Sequence, residues 1–265
     1  MKHSIIACIL FFCLSANARQ SANNSIETVK IPILCYHQVR NWKSTDSKSS
    51  RTYIIPVETF IRHIVALRDN GYTPVSASQL VDYVNDKGVL PSKPVLITFD
   101  DGSESQYVNA FPILVRYKIK AVFFIMSVTI DHQRFMTRKQ IKDLSDYGFE
   151  IGCHTWDHQP TTKYTIEADY QHQLLKSKKD LGQITGRQVS YFAYPYGSWN
   201  VEVIKHLQAY GYKAAFQLSG ICDKQAPLFT MQRILVDGHW DASRLLKEIN
   251  RTSINHLIHT DKYQD

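Results

Sequence analysis

The chain has 265 residues, 44% of them hydrophobic and 21% charged, with a formal net charge of +7. That length is long for one ordinary domain and normal for an α/β barrel. The basic residues are scattered, Lys176, Lys178 and Lys179 being the densest cluster, and no basic motif with interleaved aromatics marks a nucleic-acid binder.

Lys2 and His3, an apolar run over 5–14 and the small-x-small triplet Ala16-Asn17-Ala18 predict a signal peptide over residues 1–18. The run is too short to span a bilayer and no second one is longer, so the protein is expected to be exported, periplasmic or secreted, without a transmembrane segment. Losing 1–18 removes Lys2 and leaves a net charge of +6. Cys35, Cys153 and Cys222 then remain, an odd number that cannot make a complete disulfide framework. Cys35 and Cys153 read as small buried side chains, a bridge between them being the lesser alternative.

Residues 19–30 are polar and expected to be flexible, and 31–250 form one domain. An apolar strand over 31–36 delivers His37. The Ser/Lys-rich stretch 40–52 has the length of a lid or a disordered loop. Phe60, Ile64 and Leu67 give helical spacing to 57–70, which Gly71 ends. A short strand at 72–75 and a helix near 79–85 follow. The Val95 to Phe99 run is a buried parallel strand ending in Asp100-Asp101-Gly102. A helix over 104–117 must kink or start late at Pro112.

The run 121–126 is the next strand, and Thr137 with Gln140 forms a capping box for a helix ending near Gly148. A strand over 149–153 delivers His154. A long helix begins at Thr165 and ends by Gly182 or Gly186. The strand 189–193 delivers Tyr194-Pro195-Tyr196-Gly197. A helix over 200–210, strands over 213–218 and 230–236 and a helix over 242–249 complete the domain. Residues 251–265 are a polar tail.

Alternating strands and helices imply parallel strands with helices outside. About seven strands favour a closed or nearly closed barrel over an open sheet. His37, Asp100-Asp101, His154 and Tyr194–Gly197 each follow a strand, so a barrel gathers them on one rim. Two adjacent aspartates are costly to ionise together unless a cation neutralises one of them. On that stretch alone, a turn or helix cap is the favoured reading. His154 and His158, at i and i+4, reach one ion if the segment turns helically. With a carboxylate from a neighbouring strand end they make a His-His-Asp facial set.

Thr98-Phe99-Asp100-Asp101-Gly102, His154-Thr155-Trp156-Asp157-His158 and Phe192-Ala193-Tyr194-Pro195-Tyr196-Gly197 resemble, in order, the first three motifs of the polysaccharide deacetylases (carbohydrate esterase family four). The resemblance implies an α/β fold, a distorted (β/α)7 barrel of the NodB-homology type, that removes N-acetyl groups from sugar polymers. It implies Asp100 as general base, with Asp101, His154 and His158 as ligands of one divalent metal. Zinc suits that set best; nickel, cobalt and iron are also accepted by it. Tyr196 would offer its backbone N–H to the oxyanion, while Tyr194 and Pro195 shape the groove.

Two departures stand out. Ala193 occupies the place of the arginine that usually holds the catalytic aspartate, and Arg233 is the replacement to consider. The usual C-terminal Leu-x-His is missing, while Leu34-Cys35-Tyr36-His37-Gln38-Val39 resembles the circularly permuted subgroup that deacetylates poly-β-1,6-N-acetylglucosamine of biofilm matrix. In that subgroup an N-terminal histidine is the acid, here His37. Biofilm synthesis or export machinery would then be the partner. The alternatives are a peptidoglycan or chitin deacetylase and a catalytically weak polysaccharide-binding homologue. Trp156, Trp199 and Trp240 read first as partly buried core or rim residues, with sugar contact as the lesser reading.

Overall fold

The structure, a computed structural model, describes residues 31–252. The expected signal peptide, the 19–30 segment and the tail from residue 253 onward lie outside the described residues. Eleven strands alternate with nine α-helices among the described residues.

The barrel wall consists of β1 (Ile33–Tyr36), β5 (Pro94–Phe99), β6 (Ala121–Ile125), β7 (Glu150–Cys153), β8 (Tyr191–Ala193) and β9 (Ala214–Gln217), closed by β10 (Met231–Gln232) and β11 (Ile234–Leu235). The order is β10-β9-β8-β7-β6-β5-β1-β11, parallel throughout. β10 and β11 are the two halves of one passage of chain. Met231 pairs with Phe216 on one side, Ile234 with Leu34 on the other, and Arg233 lies between them. The 230–236 strand expected as one element therefore closes the barrel by changing partners at Arg233. Its N–H donates to Gln217 O at 3.0 Å. The result is a nearly closed parallel barrel with helices outside.

Strand alternation sorts the side chains into two sets. Leu34, Tyr36, Ile97, Phe99, Phe123 and Ile151 pack outward against Phe60, Ile64 and Leu67 of α2 (Val57–Asp69) and Ile141 and Leu144 of α5 (Arg138–Tyr147). Ile33, Leu96, Val122, Phe124, Ala193, Phe216 and Met231 form a second cluster with Leu80 and Val81 of α3 (Ala77–Val84). This second set fills the barrel, and α3 covers the end at which the strands begin. Glu150, first residue of β7, fixes it there by accepting the Ala77 and Ser78 N–H groups at 2.7 and 3.0 Å.

Several local expectations need correction. The stretch 40–52 is neither disordered nor featureless. Arg40 grips Asp46 with both terminal nitrogens at 2.9 Å, and Ser47 caps the short α1 (Lys48–Arg51). A two-stranded ribbon of β2 (Gln38–Val39) and β3 (Ile54–Ile55) ties the loop to the wall. The strand near 72–75 is the two-residue β4 (Thr73–Pro74), paired with the start of β5. Pro112 stands at the second position of an α-helix that starts late, one of the two outcomes the sequence allowed. A wide π turn over Gln106–Ala110 runs into α4 (Phe111–Arg116), and the Phe111 N–H reaches back to Gln106 O, leaving room for the proline ring. The long helix begins as α6 (Glu167–Tyr170), widens over Gln171–Lys176 and ends as α7 (Ser177–Thr185), with Gly186 left-handed at φ 67°. α8 (Val201–Ala209) and α9 (Ala242–Thr252) follow, α9 running two residues past the expected domain end. All three described cysteines are free, and β5 and β6 separate Cys35 on β1 from Cys153 on β7. No helix among the described residues is long and apolar enough to cross a membrane.

Gly152 is a tight point of the barrel wall. A Cβ there would lie 2.4 Å from the Phe124 ring and 3.1 Å from Tyr191 O. Gly152→Ala should destabilise the protein by about 1–3 kcal/mol through overpacking. Differential scanning calorimetry should read this as a midpoint lowered by about 2–4 °C per kcal/mol.

Candidate active site

Every wall strand points the same way, so the residues after their C-terminal ends meet on one rim. Period-2 alternation then turns Cys35 and His37, Thr98 and Asp100, and Arg233 toward the barrel axis. Asp100 is 1% exposed, Arg233 1% and His154 1%. Arg233 Nη1 and Nη2 donate to Asp100 Oδ1 and Oδ2 at 2.6 and 2.7 Å. Nη1 also donates to Thr98 Oγ1 at 3.2 Å, and that hydroxyl donates to Leu34 O at 2.8 Å. The guanidinium carbon stands 5.4 Å above the Phe124 ring. Arg233, from the far end of the chain, thus holds the Asp100 carboxylate with both terminal nitrogens.

Burial alone would raise the Asp100 carboxyl, but the Arg233 guanidinium, and after it His154, outweigh it and hold Asp100 well below the usual carboxylate range. Cys35 Sγ donates to Asp100 Oδ2 at 3.4 Å and lies 4.0 Å from His37 Nδ1. Burial pushes that thiol well above its ordinary value, which keeps it a donor. Gln106 fastens the two strand ends together, its amide donating to His37 O at 2.9 Å and Asp100 O at 2.5 Å. Neither Cys35 nor Gln106 was singled out for the site from sequence. For Cys35 a signal existed, because on a strand it must share a face with His37 two residues on.

Asp101, His154 and His158 offer ligand atoms within 4.8 Å of one another. Asp101 Oδ1 is 3.6 Å from Nε2 of both histidines. His154 Nδ1 lies 2.7 Å from Ala193 O. A carbonyl only accepts, so Nδ1 carries the proton and Nε2 presents its lone pair. Burial first, and then His154, lower the His158 pKa and favour its neutral form. Asp101 Oδ1 is buried with no hydrogen-bond donor. A carboxylate oxygen of that kind is costly unless a cation meets it. Ligand bonds of about 2.0–2.2 Å to zinc put ligand atoms about 3–3.5 Å apart, close to the spacing here. The donor set fits a divalent metal.

The His154–His158 segment is not helical, contrary to the i, i+4 expectation. Thr155 and His158 stand at φ 64° and 70°, and Thr155 Oγ1 accepts the His158 N–H at 2.9 Å. This tight loop brings the two ring centroids to 4.8 Å. Asp101 at φ 75° and Tyr196 at φ 59° are likewise left-handed. Non-glycine residues in that region are strained, a β-branched threonine most of all.

Tyr194 corrects an expectation. Its ring is fully buried and its hydroxyl donates to Phe229 O at 2.9 Å, so it is core and does not line the groove. Pro195 is buried as well, whereas Tyr196 is 63% exposed, its ring 4.6 Å from that of His158. Trp240 is half-buried against the core, its carbonyl 2.9 Å from His63 Nε2. Trp199 also packs on the core and donates to Gln217 Oε1 at 3.0 Å. His37 is half-buried at the rim.

The sequence model of the family described as polysaccharide deacetylase matches residues 87–215. The Bacillus subtilis protein YxkH, named for the same family, is 32% identical over 212 residues, covering 78% of this chain and 71% of its own. A poly-beta-1,6-N-acetyl-D-glucosamine N-deacetylase of Staphylococcus aureus is 29% identical over 206 residues, with 70% and 71% covered. Among solved structures, IcaB from Ammonifex degensii superposes with a TM-score of 0.70 at 25% identity, covering 86% of this chain and 97% of that one. The deacetylase PplD of Streptococcus pyogenes, at 23% identity, shares the fold with a TM-score of 0.76 over 84% and 99%. The chain belongs to the polysaccharide deacetylase family. It is accordingly an N-deacetylase, a hydrolase of the amide that joins an acetyl group to an amino sugar.

Replacing Arg233 should expose how the buried pair works. Arg233→Met strands the Asp100 charge, which costs about 3–5 kcal/mol when one partner of a buried pair is removed. Arg233→Lys keeps the charge but loses the fork. Urea unfolding should rank the wild type above Arg233→Lys and Arg233→Lys above Arg233→Met, and deacetylation should fall in the same order.

Proposed function

We propose that this protein is an exported, metal-dependent deacetylase of an N-acetylglucosamine polymer, with poly-β-1,6-N-acetyl-D-glucosamine as its substrate. The observation that carries the reading is the pair of adjacent aspartates in two different environments. Asp100 is locked to Arg233, and Asp101 faces two imidazoles with a bare oxygen. The named activity of the Staphylococcus aureus relative supports the choice of polymer, and the apolar run over 5–14 supports export. Leu34–Val39, placed first in the chain, supports a permuted barrel with His37 as its acid.

In this reading Asp101, His154 and His158 hold one divalent cation, zinc before nickel, cobalt or iron. When bound, such an ion polarises the acetyl carbonyl and lowers the pKa of a water toward neutrality. Asp100, kept ionised by Arg233, takes the proton of the attacking water. The new C–O bond gives a tetrahedral oxyanion, and the Tyr196 backbone N–H donates to it. One such donor contributes about 3–4 kcal/mol to the transition state. His37, at the rim beside Asp100, protonates the leaving nitrogen as the C–N bond breaks, releasing acetate and the free amine. Cys35 and Gln106 position these groups without entering the chemistry.

The test measures acetate released from β-1,6-linked oligomers, chitooligosaccharides and peptidoglycan, with and without a chelator. Release from the β-1,6 polymer, abolished by chelation and restored by added metal, is expected; preferential release from either other polymer would overturn the substrate. Asp100→Asn should stop turnover with metal still bound, whereas His154→Ala should lose both, by plasma emission analysis. Equal metal content in the two variants would refute this division of labour. Fractionating cells that express the chain with and without residues 1–18 tests export.

A further inference from the structure

We propose that Tyr53 and Trp42 form a sugar-stacking subsite on the His37 side of the centre, which binds the N-acetylglucosamine units adjoining the one that is deacetylated. The inference rests on the polysaccharide reading above and extends it to how the polymer is held. Tyr53 is 44% exposed, and its ring meets that of His37 at 5.0 Å and 65°. Trp42 is 37% exposed, with its indole N–H donated to Ile54 O at 2.8 Å. Both belong to the segment anchored by the β2–β3 ribbon, beside the barrel mouth.

These aromatic rings are held rigid while much of their surface stays in water. Arg40 clamps the loop through Asp46, and the Lys43 N–H adds a third bond to the same carboxylate at 2.6 Å. Arg51 stands 5.1 Å over the Trp42 ring, and the His239 ring lies 5.1 Å from it. Gly238 brings the His239 loop into backbone contact with this segment. Its N–H donates to Thr52 O at 3.0 Å, and a Cβ there would fall 2.1 Å from Arg51 O and 2.2 Å from Ile54 O. An ordered but uncovered aromatic surface beside a reactive centre is what a ligand with an apolar face completes. A pyranose offers such a face in its axial C–H bonds, and N-acetylglucosamine is uncharged.

A second exposed tyrosine adjoins the same centre. Tyr196 stands beyond His158 as Tyr53 stands beyond His37. Between them His37 and Asp100 offer ligand atoms within 4.8 Å of each other, and Asp100 lies 3.8 Å from His154. The line of contacts from Tyr53 through His37, Asp100, His154 and His158 to Tyr196 therefore begins and ends on an exposed tyrosine ring, an arrangement suited to a chain that passes across the site.

The test compares kcat/KM for N-acetylglucosamine oligomers of increasing length. In the wild type kcat/KM should rise with length. In Tyr53→Ala that rise should shrink about three- to tenfold, as expected for one lost ring contact, through KM more than kcat. Trp42→Ala should shrink it only for the longer oligomers, and Tyr53→Phe should retain it. Unaltered length dependence in both alanine variants would overturn the subsite. Binding of oligomers to inactive Asp100→Asn, followed by tryptophan fluorescence with and without Trp42→Phe, tests it independently of turnover. A signal insensitive to Trp42 counts against it. A wild type that binds oligomers through Trp42 but releases no acetate would instead sink the functional reading.

Discussion

A carboxylate and a guanidinium, both sealed inside a barrel of parallel strands, set the terms for everything else in this protein. Asp100 and Arg233 are about 1% exposed each and meet through two short bonds. Neither charge could be left alone at that depth, because an unpaired buried ion costs several kcal/mol. The pair therefore holds β11 against β1 and β10 against β9 at the seam, in addition to holding Asp100 ionised. The ionised state of Asp100 and the closure of the barrel depend on the same interaction, at the point where the last strand changes partners.

Around that pair the rim stores strain. Asp101, Thr155, His158 and Tyr196 all take left-handed backbone angles, each at a cost of about 1–3 kcal/mol. The wall absorbs it: His154 donates its backbone N–H to Ile125 O, and Asp100 donates its own to Tyr36 O. Strand ladders thus hold the first residue past each strand, and the strained residues lie one to four positions further on. The arrangement aims three ligand atoms at one point and leaves Asp101 Oδ1 without a donor. Family membership accounts for the motif, and this geometry accounts for the chemistry that the motif needs.

The polymer-facing side follows from the same wall. The 40–52 segment, tied down by Arg40 and Asp46, leads into Tyr53 beside His37, and Tyr196 adjoins His158. His37 sits at the junction, fixed through Gln106 to the strand end that carries Asp100. One amide thus fixes an imidazole and a carboxylate from neighbouring strands relative to each other.

Much of this was legible from residues alone. Apolar runs followed at once by His37, Asp100-Asp101, His154 and Tyr194 marked the strand ends, since strand periodicity and parallel pairing are local consequences of composition. The capping box at Thr137 and Gln140 was legible for the same reason. What stayed hidden were contacts between residues far apart in the chain. The Arg233–Asp100 fork joins positions 133 apart, so the sequence could offer Arg233 only as a candidate, and Cys35 meets Asp100 across 65. Nor could spacing foresee that His154 and His158 converge through a left-handed loop, that Pro112 follows a π turn, or that Tyr194 turns into the core. Each was decided by packing against the wall, because a side chain's partner and a residue's backbone angle are set by neighbours that only folding supplies.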